Sequence, residues 1–153
     1  MTASMDDLRI RPARREDLAA VVALLEEDRP HPDPIDPMPA GYVAAFEEIL
    51  ADLDNTVVVA EHEGRVVGTF QLTFIRHLMR RGCRVAQIEA VHVDARHRNR
   101  GIGEAMMQWA IAEARRHGCL RAQLTSNKTR TRAHRFYERL GFERSHEGFK
   151  LYL

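Results

Sequence analysis

Cysteine is scarce in this chain, with Cys83 and Cys119 the only two. They make no CxxC pair, no zinc-ligand spacing and no disulfide framework. A reducing, cytoplasmic setting is therefore expected. An excess of one charge is also missing: 23 Lys and Arg stand against 22 Asp and Glu, for a net charge of +1. A molecule so balanced is not steered as a whole toward polyanions, although local basic patches remain open to it. The basic cluster RHRNR (residues 96–100) has no interleaved aromatics, so nucleic acid is not an expected partner. No apolar run approaches the ~20 residues of a membrane span, and the opening MTASMDDLRI lacks a signal peptide's apolar centre. No membrane partner is expected. Proline is nearly confined to one place, with five of six in RPHPDPIDPMPAG (residues 29–41). There is no internal repeat and no low-complexity run. With 44% hydrophobic residues in 153, the chain suits a single compact domain, residues 1–153.

The rest of the chain is organised around residues 85–103, VAQIEAVHVDARHRNRGIG. Val85, Ile88, Val91 and Val93 read as a mostly buried strand. A basic turn with glycines follows, and then the apolar period becomes helical, with Ile102, Ala105, Met106, Trp109 and Ala112 on one face. A helix start leaves N–H groups unpaired and favours an anion. Gly101 and Gly103 let a ligand approach the backbone closely. A P-loop needs Lys and then Ser or Thr after its last glycine, where this chain has Glu104 and Ala105. A dinucleotide fingerprint needs Gly or Ala at Met106 and an acid near Arg121 to Gln123. Neither pattern fits.

Elsewhere, residues 8–12 read as a short strand, and Leu18, Val21, Val22 and Leu25 as a helix preceded by Glu16 and Asp17. The proline-rich stretch is an extended, stiff connection. Tyr42, Phe46, Ile49, Leu50 and Leu53 give a second amphipathic helix. Residues 56–62 and 66–75 are strands joined at Glu63-Gly64, a hairpin signal. Residues 77–82 form a polar turn into the central strand. His117-Gly118 ends the long helix, residues 120–125 form the next strand, and residues 142–145 and 149–153 are expected as a closing pair of strands.

A third glycine pattern is filled by Arg98, Gly101 and Gly103: Arg or Gln, two residues, Gly, one residue, Gly or Ala. Downstream comes SNKTRTRAHRFYERLGF (residues 126–142), carrying Asn127, Ala133, Phe136, Tyr137, Gly141 and Phe142. The two blocks in this order resemble the GCN5-related N-acetyltransferases (GNAT). The C-terminal half looks most like the aminoalkylphosphonate branch, which shares the IE strand, the AHRFY helix and an SHxxF tail. The resemblance implies an α/β fold with a central twisted mixed sheet of about seven strands and about four helices. It also implies transfer of an acetyl group from acetyl-CoA to a primary amine of a small molecule, with a homodimer as a possible assembly. A protein or peptide amine remains open as acceptor, as does a non-catalytic acyl-CoA-binding module.

The resemblance places CoA against the backbone of Arg98, Asn99, Arg100, Gly101, Ile102 and Gly103, with charge from Arg96, Arg98 and Arg100. It also places pantetheine against unpaired groups of Val91, His92 and Val93. Glu89 is the one carboxylate in the central strand. It is either a partly open or Arg-paired residue or, as in the family, the general base; some relatives put the acid where Gln87 stands. Tyr137 is either a core aromatic or the acid that protonates the leaving thiolate and lies against CoA. Asn127 bonds CoA or caps a helix. His92 is expected to be structural, with His134 and His146 in the family-like tail. No HxxxH or His-carboxylate spacing suggests a metal. The proline-rich connection is either a surface linker between two helices or, as in the family, a wall of the acceptor site where Asp33 and Asp36 would favour a cationic amine.

Overall fold

The computed structural model describes residues 5–27 and 40–153, so Asp33, Asp36 and most of the proline-rich connection lie outside the described residues. Five strands make one sheet in the order β1 (Arg9–Pro12), β2 (Asn55–His62), β3 (Arg65–Arg76), β4 (Arg84–Val93) and β5 (Arg121–Gln123). All neighbours are antiparallel except β4 and β5. The helices are α1 (Leu18–Glu26), α2 (Ala40–Ala51), a single kinked turn α3 (Met79–Gly82), α4 (Ile102–Arg116) and α5 (Thr131–Arg139).

Strand alternation distributes the core between the two faces of the sheet. Val58, Phe70, Leu72 and Ile88 point to the face covered by Ile102, Met106, Met107 and Ala110 of α4. Val59 and Val57 point the other way, against Val21 of α1 and Phe46 of α2. The β2–β3 hairpin turns at Glu63 and Gly64, with φ of 49° and 73°. Two successive positive φ values match the right-handed twist of the flanking strands. Gly68 of β3 lets α4 lie close: a Cβ there would stand 2.7 Å from Met106 Sδ and 3.3 Å from the His92 carbonyl oxygen. Gly118 closes α4 with φ 66°, while the Cys119 N–H bonds the Ala114 carbonyl and the Gly118 N–H that of Arg115. That is a Schellman close at the expected position.

Under the sheet edge, Arg11 donates to both oxygens of Asp17 (2.7 and 3.1 Å) and to Glu61 (2.6 Å). The Arg11 bonds, with help from the Arg14 N–H, hold the buried Asp17 carboxyl below its usual range despite desolvation. Asp17 thus ties the start of α1 to β1 and β2, a stronger task than facing the helix dipole.

Two expectations fail here. The closing strands do not form: residues 143–153 make no sheet pairing, so the strands number five rather than about seven. Nothing in the described chain supplies their second edge. Ala112 is exposed, and the buried face of α4 runs instead through Met107, Ala110 and Ala114. Both Met106 and Met107 are fully buried, which rotates the contact stripe toward β3 and β4.

Candidate active site

The chemistry-bearing region is built on β4, whose two halves differ. From Val85 to Gln87 it is paired on both sides, with β3 and, through Arg121, Ala122 and Gln123, with β5. Beyond Gln87 the parallel ladder ends, and among the described residues nothing pairs with the β5 side of the strand. The β3 side is irregular as well. Thr69 pairs with His92 but Gln71 with Glu89, so Ala90 and Val91 together stand opposite Phe70. This is a β-bulge, and Ala90 takes φ 52° to make it. An alanine in that region is strained by about 1 kcal/mol.

The bulge and the divergence leave an open wedge flanked by polar backbone. The Asp94 N–H bonds the Val67 carbonyl on β3, so by alternation the polar groups of Val93 face the other way. The Arg98 guanidinium confirms that direction by donating to the Val93 carbonyl at 3.1 Å. The expected residues Val91, His92 and Val93 all lie on the stretch with no β5 partner, but His92 pairs with Thr69 of β3, so its own backbone groups are not left open. His92 turns its ring back to the Ala90 carbonyl (3.1 Å), a local contact that supports the bulge.

The turn after β4 is held from within. Asp94 accepts from the Arg96 N–H (2.9 Å) and from its guanidinium (2.9 and 3.2 Å). These bonds bring the Asp94 carboxyl down to about 2. Arg96 is thereby engaged at the base of the turn. Arg98 also reaches within 3.6 Å of Glu27 on the far end of α1, and that carboxylate accepts from the Ala95 N–H at 3.2 Å. Asn99 (φ 62°) accepts from Arg132 of α5 at 2.6 Å. Gly101 (φ 80°) swings the chain into α4 and precedes its free N–H groups. Of the three arginines expected to meet phosphates, Arg100 is exposed and makes no ion pair among the described residues.

Val93, Arg98, Asn99, Gly101 and Gly103, with Phe136 and Arg139 of α5, line a depression of about 240 Å³ at the start of α4. A Cβ at Gly103 would touch Phe136 at 3.4 Å and Val93 at 3.9 Å, so β4, α4 and α5 converge there with no room to spare. Arg139 was not singled out from sequence. Its signal is its place two residues beyond Tyr137 in the last turn of α5.

Tyr137 is buried, with Phe136 and Phe142 edge-on to its ring at centroid distances of 5.1 and 5.9 Å. It therefore does belong to the core. Yet its hydroxyl has no hydrogen-bond partner among the described residues. Burial raises its pKa, with a smaller opposing effect from Arg130, so the phenol keeps its proton at neutral pH. Asn127 serves as a turn former: its side-chain oxygen accepts from the N–H and hydroxyl of Thr129 (3.0 and 2.9 Å), and its carbonyl receives His134 Nε2 at 2.8 Å. The side-chain amide NH₂ is left for other contacts.

Glu89 is exposed rather than buried, because it stands at the lip of the wedge immediately before the bulge. The cost of burying a lone carboxylate thus does not arise. It ends a polar patch that sequence reasoning passed over. Asn55 accepts from Gln71 (2.9 Å) and Thr73 (3.2 Å), and Gln123 donates to Gln87 (2.8 Å). Gln71 pairs across to Glu89, and Thr73 to Gln87. The available signal was the repeated polar residue at every second position of otherwise apolar strands. Gln87, the rival for the acidic position, is engaged with Gln123. Among the described residues no cluster of His, Cys, Asp or Glu has the makings of a metal site.

Comparison with known proteins identifies the family and the fold. The model of the acetyltransferase (GNAT) family matches residues 18–142. Glucosamine 6-phosphate N-acetyltransferase 1 of Oryza sativa subsp. japonica is 32% identical over 148 residues, covering 94% of this chain and 86% of its own length. The aminoalkylphosphonate N-acetyltransferase of Salmonella typhimurium is 31% identical over 140 residues, covering 92% and 88%. A crystal structure from Bacillus halodurans C-125, described as a transcriptional regulator, superposes with a TM-score of 0.90 at 39% identity, covering 95% of this chain and 99% of the other. A family match over most of the chain, on a sheet that opens beside a glycine-started helix, makes this chain a member of the acetyltransferase (GNAT) family.

Proposed function

We propose that this chain transfers the acetyl group of acetyl-CoA directly to the primary amine of a small molecule, in a ternary complex. The observation that carries this reading is the wedge between β4 and β5, opening beside the free N–H groups of α4. Residues 98–103 would hold the diphosphate through backbone N–H groups, with Arg139 of the depression and the exposed Arg100 beside it adding charge. The Val93 N–H, directed into the wedge, is suited to pair with a pantetheine amide or to receive the thioester oxygen as it gains charge. Acetyl-CoA supplies the activated acyl group, and this chain's residues supply position and protons.

Glu89 is the general base of this scheme. It takes the proton of the acceptor ammonium, directly or through a water, so that the nitrogen lone pair is free to attack the carbonyl carbon. The new C–N bond forms as the carbonyl becomes an oxyanion, and collapse of that oxyanion breaks the C–S bond. Tyr137 then gives its phenolic proton to the departing thiolate and regains one from the nitrogen side through solvent. A buried phenol with a raised pKa and no partner is protonated and free to donate.

The two curated relatives above are named for amines that also carry a phosphate or phosphonate, so anionic small amines head the acceptor panel. The polar patch of Gln71, Thr73 and Gln87 beside Glu89 offers amides and a hydroxyl to the rest of such a molecule. A cytoplasmic site of action, with neither nucleic acid nor membrane as partner, completes the proposal. The test is thiol release from acetyl-CoA over a panel holding glucosamine 6-phosphate, aminoalkylphosphonates, aminoglycosides and a lysine peptide. Saturable release with a small amine is expected. Saturable CoA binding with no release from any amine would overturn the catalytic reading.

A further inference from the structure

The sheet face that carries Glu89 has a second charged end. Cross-strand register puts Gln71 and Thr73 of β3, Gln87 and Glu89 of β4, and Arg121 and Gln123 of β5 on this one face. Arg121 is the only arginine or lysine that these three strands turn to it. Gln71, Thr73, Gln87 and Gln123 are half-buried, whereas Glu89 and Arg121 are exposed. A negative and a positive group thus stand at opposite ends of a floor of neutral polar side chains.

The bonds within the floor have a direction. The Arg121 Nε–H donates to Gln123 Oε1 at 3.0 Å, and Gln123 Nε2 donates to Gln87 Oε1 at 2.8 Å. Gln87 is left with its amide NH₂, a donor. Gln71, the cross-strand partner of Glu89, gives its NH₂ to Asn55 Oδ1 at 2.9 Å and keeps Oε1 as an acceptor. Acceptor atoms therefore gather at the Glu89 end and donors at the Arg121 end. Arg121 is aimed by a neutral amide and makes no ion pair among the described residues. With Nε engaged, its terminal N–H groups remain for a ligand, and they form the planar fork that fits a phosphate or carboxylate.

We propose that Arg121 sets acceptor specificity by binding an anionic group of the acceptor while Glu89 receives its ammonium, a role that rests on the acetyl-transfer reading above. The two ends impose a length. Gln123 lies one strand across from Glu89 and two residues back along β4, a displacement on the order of 8 Å. The Arg121 guanidinium is held at Gln123. An ammonium and an anion joined through a single carbon are too close together to meet both ends. An acceptor with several bonds between them, of the amino sugar phosphate kind, spans the floor and lays its hydroxyls over Gln71 and Gln87. The class assigned is therefore a zwitterionic amine whose anion is remote from the nitrogen, in preference to a short aminoalkylphosphonate. Gln123 is a positioning residue in this scheme, acting through the guanidinium that it orients.

The test compares glucosamine 6-phosphate with glucosamine, which differ only in the anion, and with aminomethylphosphonate, whose anion is one carbon from the nitrogen. In thiol release, kcat/KM should favour glucosamine 6-phosphate over glucosamine by about 10–100-fold, the scale of a hydrogen bond to a charged group. Arg121→Gln should bring that ratio close to one, and Arg121→Lys should restore part of it. Gln123→Ala should lower the ratio by a smaller factor. Calorimetric titration of the same amines into the CoA-loaded chain reads the corresponding ratio of Kd without turnover, and it should collapse in the same variant. A wild-type chain with no preference for the phosphorylated amine, a preference for aminomethylphosphonate, or a ratio that survives Arg121→Gln would overturn the proposal. Absence of thiol release from every amine would instead end the acetyl-transfer reading, with the calorimetric ratio still deciding the role of Arg121.

Discussion

The two halves of β4 are adjacent stretches of one strand, and they do different work. Residues 85–87 are clamped between β3 and β5, and Val85, Ala86 and the following Ile88 pack at 0 to 1% exposure. Residues 89–93 have a bulge on one side and no partner on the other. The first half spends its hydrogen bonds and side chains on the core. The second withholds polar groups that a ligand can then use. A sheet becomes a site at the point where its pairing stops, because backbone donors aimed at nothing need no reorganisation to receive a developing charge.

If that division is right, damage to each half separates activity from stability. Tyr137→Phe should lower kcat by about 10²–10⁴-fold, the usual range for losing a general acid. The thermal midpoint should barely move, since the lost hydroxyl bonds nothing in the described protein. An equal loss of both would make Tyr137 a core aromatic only. Ile88→Ala, one residue before the wedge, should cost about 2–5 kcal/mol of stability by denaturant titration, while the enzyme that remains folded keeps its KM for acetyl-CoA. Glu89→Gln should cut kcat/KM for the amine about 10²-fold while leaving KM for acetyl-CoA unchanged. An unchanged kcat/KM would remove Glu89 from the base role.

Smaller effects sharpen the same contrast. Asp94→Asn should destabilise by up to about 1 kcal/mol, because the amide keeps the Arg96 N–H bond but loses the ion pair with the guanidinium. The wild-type contribution has a defined pH window. The Asp94 carboxyl falls from 3.8 to about 2 on folding, so its stabilisation is complete above about pH 4 and is lost as the pH drops toward 2. The Asn variant should lack that part of the acid transition when unfolding is followed by circular dichroism. Ala90→Gly should stabilise the fold by roughly 0.5–1 kcal/mol, because glycine accepts φ 52° without strain. A destabilised Gly variant would show that Ala90 is not under strain.

Much of this was readable beforehand, and the reasons are local. The places of α1 and α4, the Glu63-Gly64 turn and the Gly118 close follow from periodicity and from residues that tolerate positive φ, while α5 came from the resemblance. The loop around Gly101 was found because glycine and arginine spacing is a chain-local signal. Glu89, by contrast, was read as a carboxylate inside a buried strand. Its exposure depends on a bulge one residue later and on where β5 stops, and neither leaves a mark in the identity of Ala90 or Leu124. The double duty of Asp17 also escaped notice, because its partners Arg11 and Glu61 are distant in sequence. The expected closing strands had the right alternation, but the described chain has no edge that pairs with them.

The order of residues, taken alone, determined the strand–turn–helix unit, and its motifs, by resemblance, pointed to the acetyltransferase family and to its candidate acid and base. The unit is a property of a short segment, set by side-chain period, glycine placement and capping chemistry. Only the tertiary structure decided where β4 loses its partners, which arginine of the turn makes no ion pair among the described residues, and that residues 143–153 leave the body uncovered. Each of those depends on what lies across a gap between distant parts of the chain, and pairing across such a gap is set by the balance of all the strands together rather than by any one of them.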